Sequence, residues 1–422
     1  MAAFVPPCLK RRLESRPCRA EPAPRSTAVE QYKPVTRIDL FYFDAGGGHR
    51  AAARALETVI ARQERPWDLR LVNLQELLDS IDLYRQVTGL RLQDVYNLLL
   101  KKGWTLGSRH LCRFMHWLIR LYHPKQVRML ADYWCRSQPD LVVSVVPHFN
   151  RALGESLRDV RPQAPLVTIL TDFADYPPHY WIERQQQFLI CGTERAVAQA
   201  KALGHTKDRV FLTSGMILNP RFYQPVTADR QTERVRLGLH PDQTTGLVLF
   251  GGEGAPVMLD ITQRLDQSGL PIQLILICGH NQKLARRLKG YPSRMPMFVE
   301  GFTTEIPYYM HLADFMIGKP GPGSLSEALA MKLPVIVQSN AFSLAWELYN
   351  AQWVLENQVG FVVPSFHHLD QTVARLIEPA TLARYRANAA AVHNRAVFEI
   401  PEILDQILRQ AAPATSGAGT AG

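Results

Sequence analysis

His49 closes the run Asp44-Ala45-Gly46-Gly47-Gly48-His49, which leaves the apolar stretch FYF and opens the helical pattern RAAARAL. An imidazole titrates near neutrality, so His49 is a candidate to carry a proton. Gly46, Gly47 and Gly48 lack the Cβ atoms that would keep a ligand off the backbone, and a helix starting there offers unpaired N–H groups to a polar or anionic group. The spacing is neither GxGxxG nor a Walker loop, so it does not specify a nucleotide, and a tight turn bearing a surface histidine reads equally well. Asp172, in ILTDFADYPPHYW, ends another apolar run, where an α/β sheet presents its functional side chains. It is a second candidate base, with turn capping as the plainer role.

The stretch IGKPGPGSLSEALAMKLPVIV at 317–337 repeats the strand, turn and helix order. Lys319, Gly321, Gly323 and Ser324 stand before the helix, and Glu327 follows one turn later. Lysine, exposed amides and a hydroxyl together suit a diphosphate, and Glu327 is placed to accept hydrogen bonds from sugar hydroxyls. The same residues also read as a Pro-Gly turn in which Ser324 caps the helix and Glu327 completes a capping box. A third loop, LFGGEGAP at 249–256, brings Gly251, Gly252 and Gly254.

Short apolar runs alternate with helical patterns, the order of a doubly wound α/β sheet. Strands are expected at 37–43, 69–73, 141–146, 166–170, 188–191 and 210–213, and again at 246–250, 272–278, 297–299, 314–317 and 334–338. The polar, proline-bearing interval between the two series marks a linker. The expected units are a disordered basic arm at 1–34, Rossmann-like halves at 35–225 and 226–411, and a small-residue tail at 412–422.

With 422 residues, 46% of them hydrophobic and 20% charged, the chain has the composition of a globular protein with two cores. No apolar run approaches the roughly 20 residues of a membrane span, and the N-terminal stretch lacks the apolar middle of a secretory signal. The six cysteines are scattered without a CxxC pair, which fits a reduced, cytoplasmic compartment. Much of the net charge of +10 falls between Arg85 and Arg128, where nine Lys or Arg face one acid. Within that interval Arg109, Arg113, His116, Arg120 and His123 recur at helical spacing beside an apolar face, with Trp104, Trp117 and Trp134 nearby. Such a helix can lie on an anionic membrane surface, or it can be a core helix with a solvated basic side. No nucleic-acid module is visible.

The order GGGHRAAA, GGEG, LILICGHNQKLARRL at 274–288, VEGFTTEIPYYMHLADFMIGKPGPGSLSEALAMKLPVIV at 299–337 and LENQVG at 355–360 resembles that of monogalactosyldiacylglycerol synthases. It is similar to processive diacylglycerol glucosyltransferases and, more distantly, to the peptidoglycan lipid II N-acetylglucosaminyltransferase. The resemblance implies a GT-B fold, two Rossmann-like domains facing across a cleft, with a UDP-sugar held mainly by the second and the acceptor mainly by the first. It places Gly251, Gly252 and Gly254 near the diphosphate and Phe302 beside the uracil. Lys319, Gly321, Gly323, Ser324 and Glu327 would hold diphosphate and ribose, and Glu347 and Asn350 would face the donor sugar. His49 and the Thr171-Asp172 pair match the family's histidine and its T-D motif. Gly46, Gly47, Gly48, His148 and His179 fall on the acceptor side.

Two acceptor-side segments depart from the family pattern, Val146-Pro147-His148 and Pro177-Pro178-His179-Tyr180-Trp181. The implied activity is inverting transfer of a hexose from a UDP-sugar to a lipid hydroxyl, that of diacylglycerol foremost, without a metal or other cofactor. The implied setting is peripheral, on the inner, cytoplasmic face of a membrane, with Arg109, Arg113, Arg120 and Trp117 as contacts. The alternatives are a UDP-sugar 2-epimerase-like enzyme of the same fold, or a non-catalytic protein that binds nucleotide-sugar or lipid. The identity of the sugar and the choice between His49 and Asp172 as base stay open at this level.

Overall fold

The computed structural model describes residues 35–411 apart from 45–46, 79–115, 118, 177–178 and 341–342. Gly46, Arg109 and Arg113 therefore lie outside the described residues, as do the arm and the tail.

The first sheet contains β1 (Thr36–Tyr42), β2 (Trp67–Asn73), β3 (Leu141–Ser144), β4 (Leu166–Ile169), β5 (Phe188–Cys191) and β6 (Val210–Leu212), in the order β2-β1-β3-β4-β5-β6. The second contains β7 (Thr244–Leu249), β8 (Ile272–Ile277), β9 (Met297–Glu300), β10 (Phe315–Gly318), β11 (Val335–Gln338) and β12 (Gly360–Val363), in the order β12-β11-β10-β7-β8-β9. Every pairing is parallel. Parallel strands are covered on both faces, which explains why runs such as VVS and IQLILI are buried at each position. All the expected strands form; β12 is an addition.

Strand order reverses between β1 and β3 in the first sheet and between β7 and β10 in the second. At such a point the loops leave the sheet in opposite directions and open a crevice. His49 and His148 follow β1 and β3, while Gly251 and Lys319 follow β7 and β10, so both crevices are lined by residues singled out from the sequence.

The boundary drawn at 226–411 is crossed by the last helix, Ala396–Ala411. Its Ala396, Val397, Ile400, Leu404 and Ile407 pack with Ile38, Leu40 and Leu56 in the core of the first half. The interval taken as a linker is partly ordered: helix Arg230–Arg236 follows an Asp229 cap and clamps Asp314 from below the second sheet. Trp134, grouped with interfacial tryptophans, is instead fully buried and donates to Ser156 Oγ at 2.9 Å. Cys191 and Cys278 are free and buried, whereas Cys135 is disulfide-bonded, against the expectation of uniformly reduced cysteines. No helix among the described residues is long and apolar enough to cross a membrane.

Asp314 ties three elements together. It pairs with Arg230 at 2.7 Å, Arg234 at 2.8 Å and Arg386 at 2.9 Å, and accepts from the Thr245 amide at 2.8 Å. Burial pushes its carboxyl up, but the arginines and the amide outweigh this and leave it below the usual carboxylate value. Arg234 is itself buried, so removing its partner strands a charge in the interior. Asp314→Ala is expected to cost about 3–5 kcal/mol, measured by urea unfolding; a loss below about 1 kcal/mol would mean the cluster is solvated as an exposed pair is.

Candidate active site

The second sheet builds its side of the cleft from backbone brought into close contact. Gly251 and Gly254 adopt φ of 77° and 60°. A Cβ on Gly254 would strike the Cys278 carbonyl, and one on Gly279 would strike that of Gly252. The loops after β7 and β8 thus lock together, with the His280 amide donating to the Gly252 carbonyl at 2.8 Å. Next to His280, Phe302 stacks on its imidazole at 4.1 Å and 14° and leaves 57% of its own surface exposed. An aromatic ring held flat at the cleft edge is suited to carry a planar base.

After β10, helix Pro322–Ala330 starts at Gly321 with no side chain capping it. The capping box expected from SLSE does not form. Ser324 lies inside the first turn and its hydroxyl donates back to the Gly321 carbonyl at 3.3 Å, while Glu327 has moved to the next turn, where burial pushes it up to about 7. The first-turn amides therefore face the cleft without a side-chain partner, which favours an anion there. Gly323 is exposed at this turn. Lys319 Nζ stands 3.3 Å from Glu347 Oε1, and a Cβ on Gly321 would lie within 4 Å of Lys319, Ser324 and Glu347, so the four converge. Asn350 does not face the cleft: it is fully buried and its amide holds the Pro320 carbonyl at 2.8 Å, fixing the loop from behind.

The first sheet supplies the titratable groups. His49 is the second residue of helix Gly48–Arg62, entered through Gly47 at φ 79°. Its Nδ1 lies 3.1 Å from Thr171 Oγ1. Burial lowers it to about 4, with the Val145 carbonyl offsetting part of the effect, so the ring is neutral at neutral pH and a weaker base than its residue type implies. Asp172 moves the opposite way. Burial raises it to about 7, the Trp181 indole N–H opposes this through a 2.9 Å hydrogen bond to Oδ2, and the charges of Glu347 and Asp175 raise it further while Lys319 lowers it. Glu347 and Lys319 come from the other half, so Asp172 is set by both sides of the cleft.

Residues 247–407 match the Glycosyltransferase family 28 C-terminal domain. The chain is 28% identical over 408 residues to the monogalactosyldiacylglycerol synthase of Spinacia oleracea, covering 91% of this chain and 74% of that protein. To monogalactosyldiacylglycerol synthase 2 of Arabidopsis thaliana it is 26% identical, covering 88% and 81%. The domain match and these relatives make the chain a glycosyltransferase. Its fold is GT-B: the S. aureus MnaA–UDP structure superposes with a TM-score of 0.60 at 13% identity, over 91% of this chain and all of that one. Acinetobacter baumannii MurG superposes at 0.56 and 12% identity, over 88% of this chain and 100% of that one.

In this glycosyltransferase the two acceptor-side histidines differ in depth. His148 sits at φ 72° with its ring 3.9 Å from that of Tyr180, and burial together with His116 and His49 pushes it down to about 3. His179 is half-exposed at φ 65° and its Nδ1 reaches Asp175 Oδ2 at 3.3 Å. His116, expected on a solvated basic face, is buried against Tyr180, and the exposed neighbours are Trp117, Arg120 and Leu121. His123 turns to Glu155 at 2.5 Å.

Trp181 escaped the sequence reading. It lies nine positions after Asp172 in an irregular loop, so no periodicity links the two. Its backbone N–H donates to Asp175 Oδ1 at 2.9 Å and its indole reaches Asp172, which orients the whole turn. Trp181→Phe removes the indole donor and keeps the ring. The Asp172 carboxyl is expected to titrate about one pH unit higher in carboxyl-carbon NMR; an unchanged titration would show that the indole contributes packing alone.

Proposed function

We propose that this glycosyltransferase moves a hexose from a UDP-sugar to the free hydroxyl of a diacylglycerol, with inversion and in one displacement. The observation that carries the reading is the convergence, across one cleft, of a candidate anion site at Lys319 and the uncapped helix with a carboxylate poised near neutrality. The names of the relatives support the lipid acceptor, and the relation to structures containing UDP or UDP-glucose supports the donor.

Asp172 takes the acceptor proton. At about 7 its proton affinity is matched to neutral pH, whereas His49 at about 4 is less basic and shares Nδ1 with Thr171. As the acceptor oxygen bonds to the anomeric carbon, the bond from that carbon to the diphosphate oxygen breaks and its electron pair leaves with UDP. The developing charge falls on the first-turn amides of helix Pro322–Ala330 and on Lys319, so the residues present supply the stabilisation without a divalent ion. Phe302 carries the uracil, Glu327 the ribose and Glu347 the sugar.

The acceptor is amphiphilic, which gives a role to the exposed apolar pair Trp117 and Leu121 beside Arg120. Together they form a peripheral contact with the cytoplasmic face of an anionic membrane.

The deciding experiment offers UDP-sugars and mixed membrane lipids to the purified protein and looks for glycolipid by mass spectrometry, with EDTA present in a parallel series. One glycolipid from one sugar, formed in EDTA, is expected; isomerised UDP-sugar without an acceptor would move the reading to an epimerase, and a need for metal would overturn the charge stabilisation described. Asp172→Asn is expected to lose about 100- to 10,000-fold in kcat. The wild-type kcat/KM is expected to fall as pH drops through about 7, because protonated Asp172 cannot accept a proton; an acidic limb near 4 would transfer the role to His49. Trp117→Ser with Leu121→Ser is expected to weaken binding to phosphatidylglycerol-containing liposomes about tenfold, and equal sedimentation with wild type would remove that contact.

A further inference from the structure

Two imidazoles packed on Tyr180 carry ring nitrogens that meet no hydrogen-bond partner among the described residues. His116 is 5% exposed and neither Nδ1 nor Nε2 has a hydrogen-bond partner; His148 Nδ1 is buried in the same condition. The two rings lie 5.9 Å apart, and Tyr180 packs on both, at 5.8 Å from His116 and 3.9 Å from His148. Buried polar atoms are nearly always paired, so several orphans in one place need a reason.

The arrangement is held in place and is not a slack loop. His148 occupies the left-handed region at φ 72°, and its amide donates to the Tyr180 carbonyl at 2.5 Å. A strained non-glycine residue persists where its surroundings fix it, and such residues gather at ligand sites.

The chemistry of the pair restricts the ligand. Burial, Arg120 and His179 lower His116; burial, His116 and His49 lower His148. Both rings are neutral, and a neutral imidazole offers one donor and one acceptor. That suits a hydroxyl or an ester and does not supply the cation that a phosphate or carboxylate would take.

Position supplies the rest. His148 and His49 follow the neighbouring strands β3 and β1 at the same crevice, and His116 is followed directly by Trp117, which is 58% exposed, with Leu121 at 59% on the same stretch. We propose that His116 and His148 form an acceptor subsite that hydrogen-bonds the uncharged glycerol-ester part of a lipid, between the reacting hydroxyl at Asp172 and the acyl chains beside Trp117 and Leu121. The subsite rests on the acceptor reading above and names the part of the lipid that is recognised.

The test is binding of dioctanoylglycerol, followed by tryptophan fluorescence, with UDP affinity as the internal control. His116→Phe keeps the stacking on Tyr180 and removes both nitrogens; it is expected to weaken dioctanoylglycerol binding at least tenfold with UDP binding unchanged. His116→Gln restores a donor and an acceptor and is expected to recover part of the loss. Equal affinity in wild type and His116→Phe, no saturable binding by wild type, or a His116→Gln variant no better than His116→Phe would each overturn the subsite. Failure of the transfer reading is seen separately: wild type would yield no glycolipid while the difference in dioctanoylglycerol binding remained.

Discussion

The ammonium of Lys319 is the point at which the two halves share charge. It lies 3.3 Å from Glu347 and lowers Asp172 from across the cleft, while Glu347 raises it. Lys319 is 40% exposed, so solvent weakens its pull, yet its charge still acts on both carboxylates. On the proposed donor reading, a diphosphate seated at the helix start would draw Lys319 toward itself and add negative charge of its own. Both changes make Asp172 hold a proton more firmly. The same rise would leave a smaller fraction of Asp172 ionised at a given pH, so donor binding would shift the pH at which the base is available.

The two sides of the cleft are built by different means. On the donor side the loops are fixed by close backbone contacts: Gly254 against Cys278, Gly279 against Gly252, and Gly318 against the Leu249 carbonyl. Glycine is required by space at all of these positions, and by φ as well at Gly254 and Gly279. On the acceptor side the loops are fixed by side chains, with Asp175 gripping the Trp181 amide, Gln199 gripping Asp175, and Trp181 gripping Asp172. Backbone locking suits a nucleotide diphosphate of constant shape, whereas side-chain networks can be rebuilt for different acceptors.

That difference explains what was legible in the sequence. Buried parallel strands are nearly continuous apolar runs, so β1 to β11 announce themselves; β12 begins with glycine and follows the polar LENQVG, so its four residues carry little signal. Glycine loops that must touch backbone were legible for the same reason, since few other residues tolerate those positions. The misreadings share a physical cause. SLSE was taken as a capping box because the pattern does not show that the chain turns helical one residue after Gly321. His116 is expected on an open face because helical spacing shows which residues share a side, not what covers it, and Asn350 is placed at the sugar by family resemblance, which does not show that its side chain is buried. The Trp181 to Asp172 contact depends on an irregular loop and has no period to read.

The last helix adds a constraint that domain boundaries drawn along the chain miss. Its packing on β1 and helix Gly48–Arg62 makes the second half end inside the first. Just before it, Asn394 donates to the Met216 carbonyl at 2.9 Å, and Glu399 receives both the amide and the hydroxyl of Ser214 at 2.8 and 2.7 Å. The chain thus crosses between halves twice, and the two crossings are hydrogen-bonded to each other. Phe173 meets Trp353 edge-on at 5.2 Å and Arg195 lies 5.8 Å from the ring of Tyr349. Phe173 and Trp353 belong to the segments that carry Asp172 and Glu347, so this contact holds those two segments against each other across the cleft. With the halves in contact, Asp172 is set jointly by Glu347, which raises it, and Lys319, which lowers it, so the acceptor-side carboxylate is tuned by the donor half.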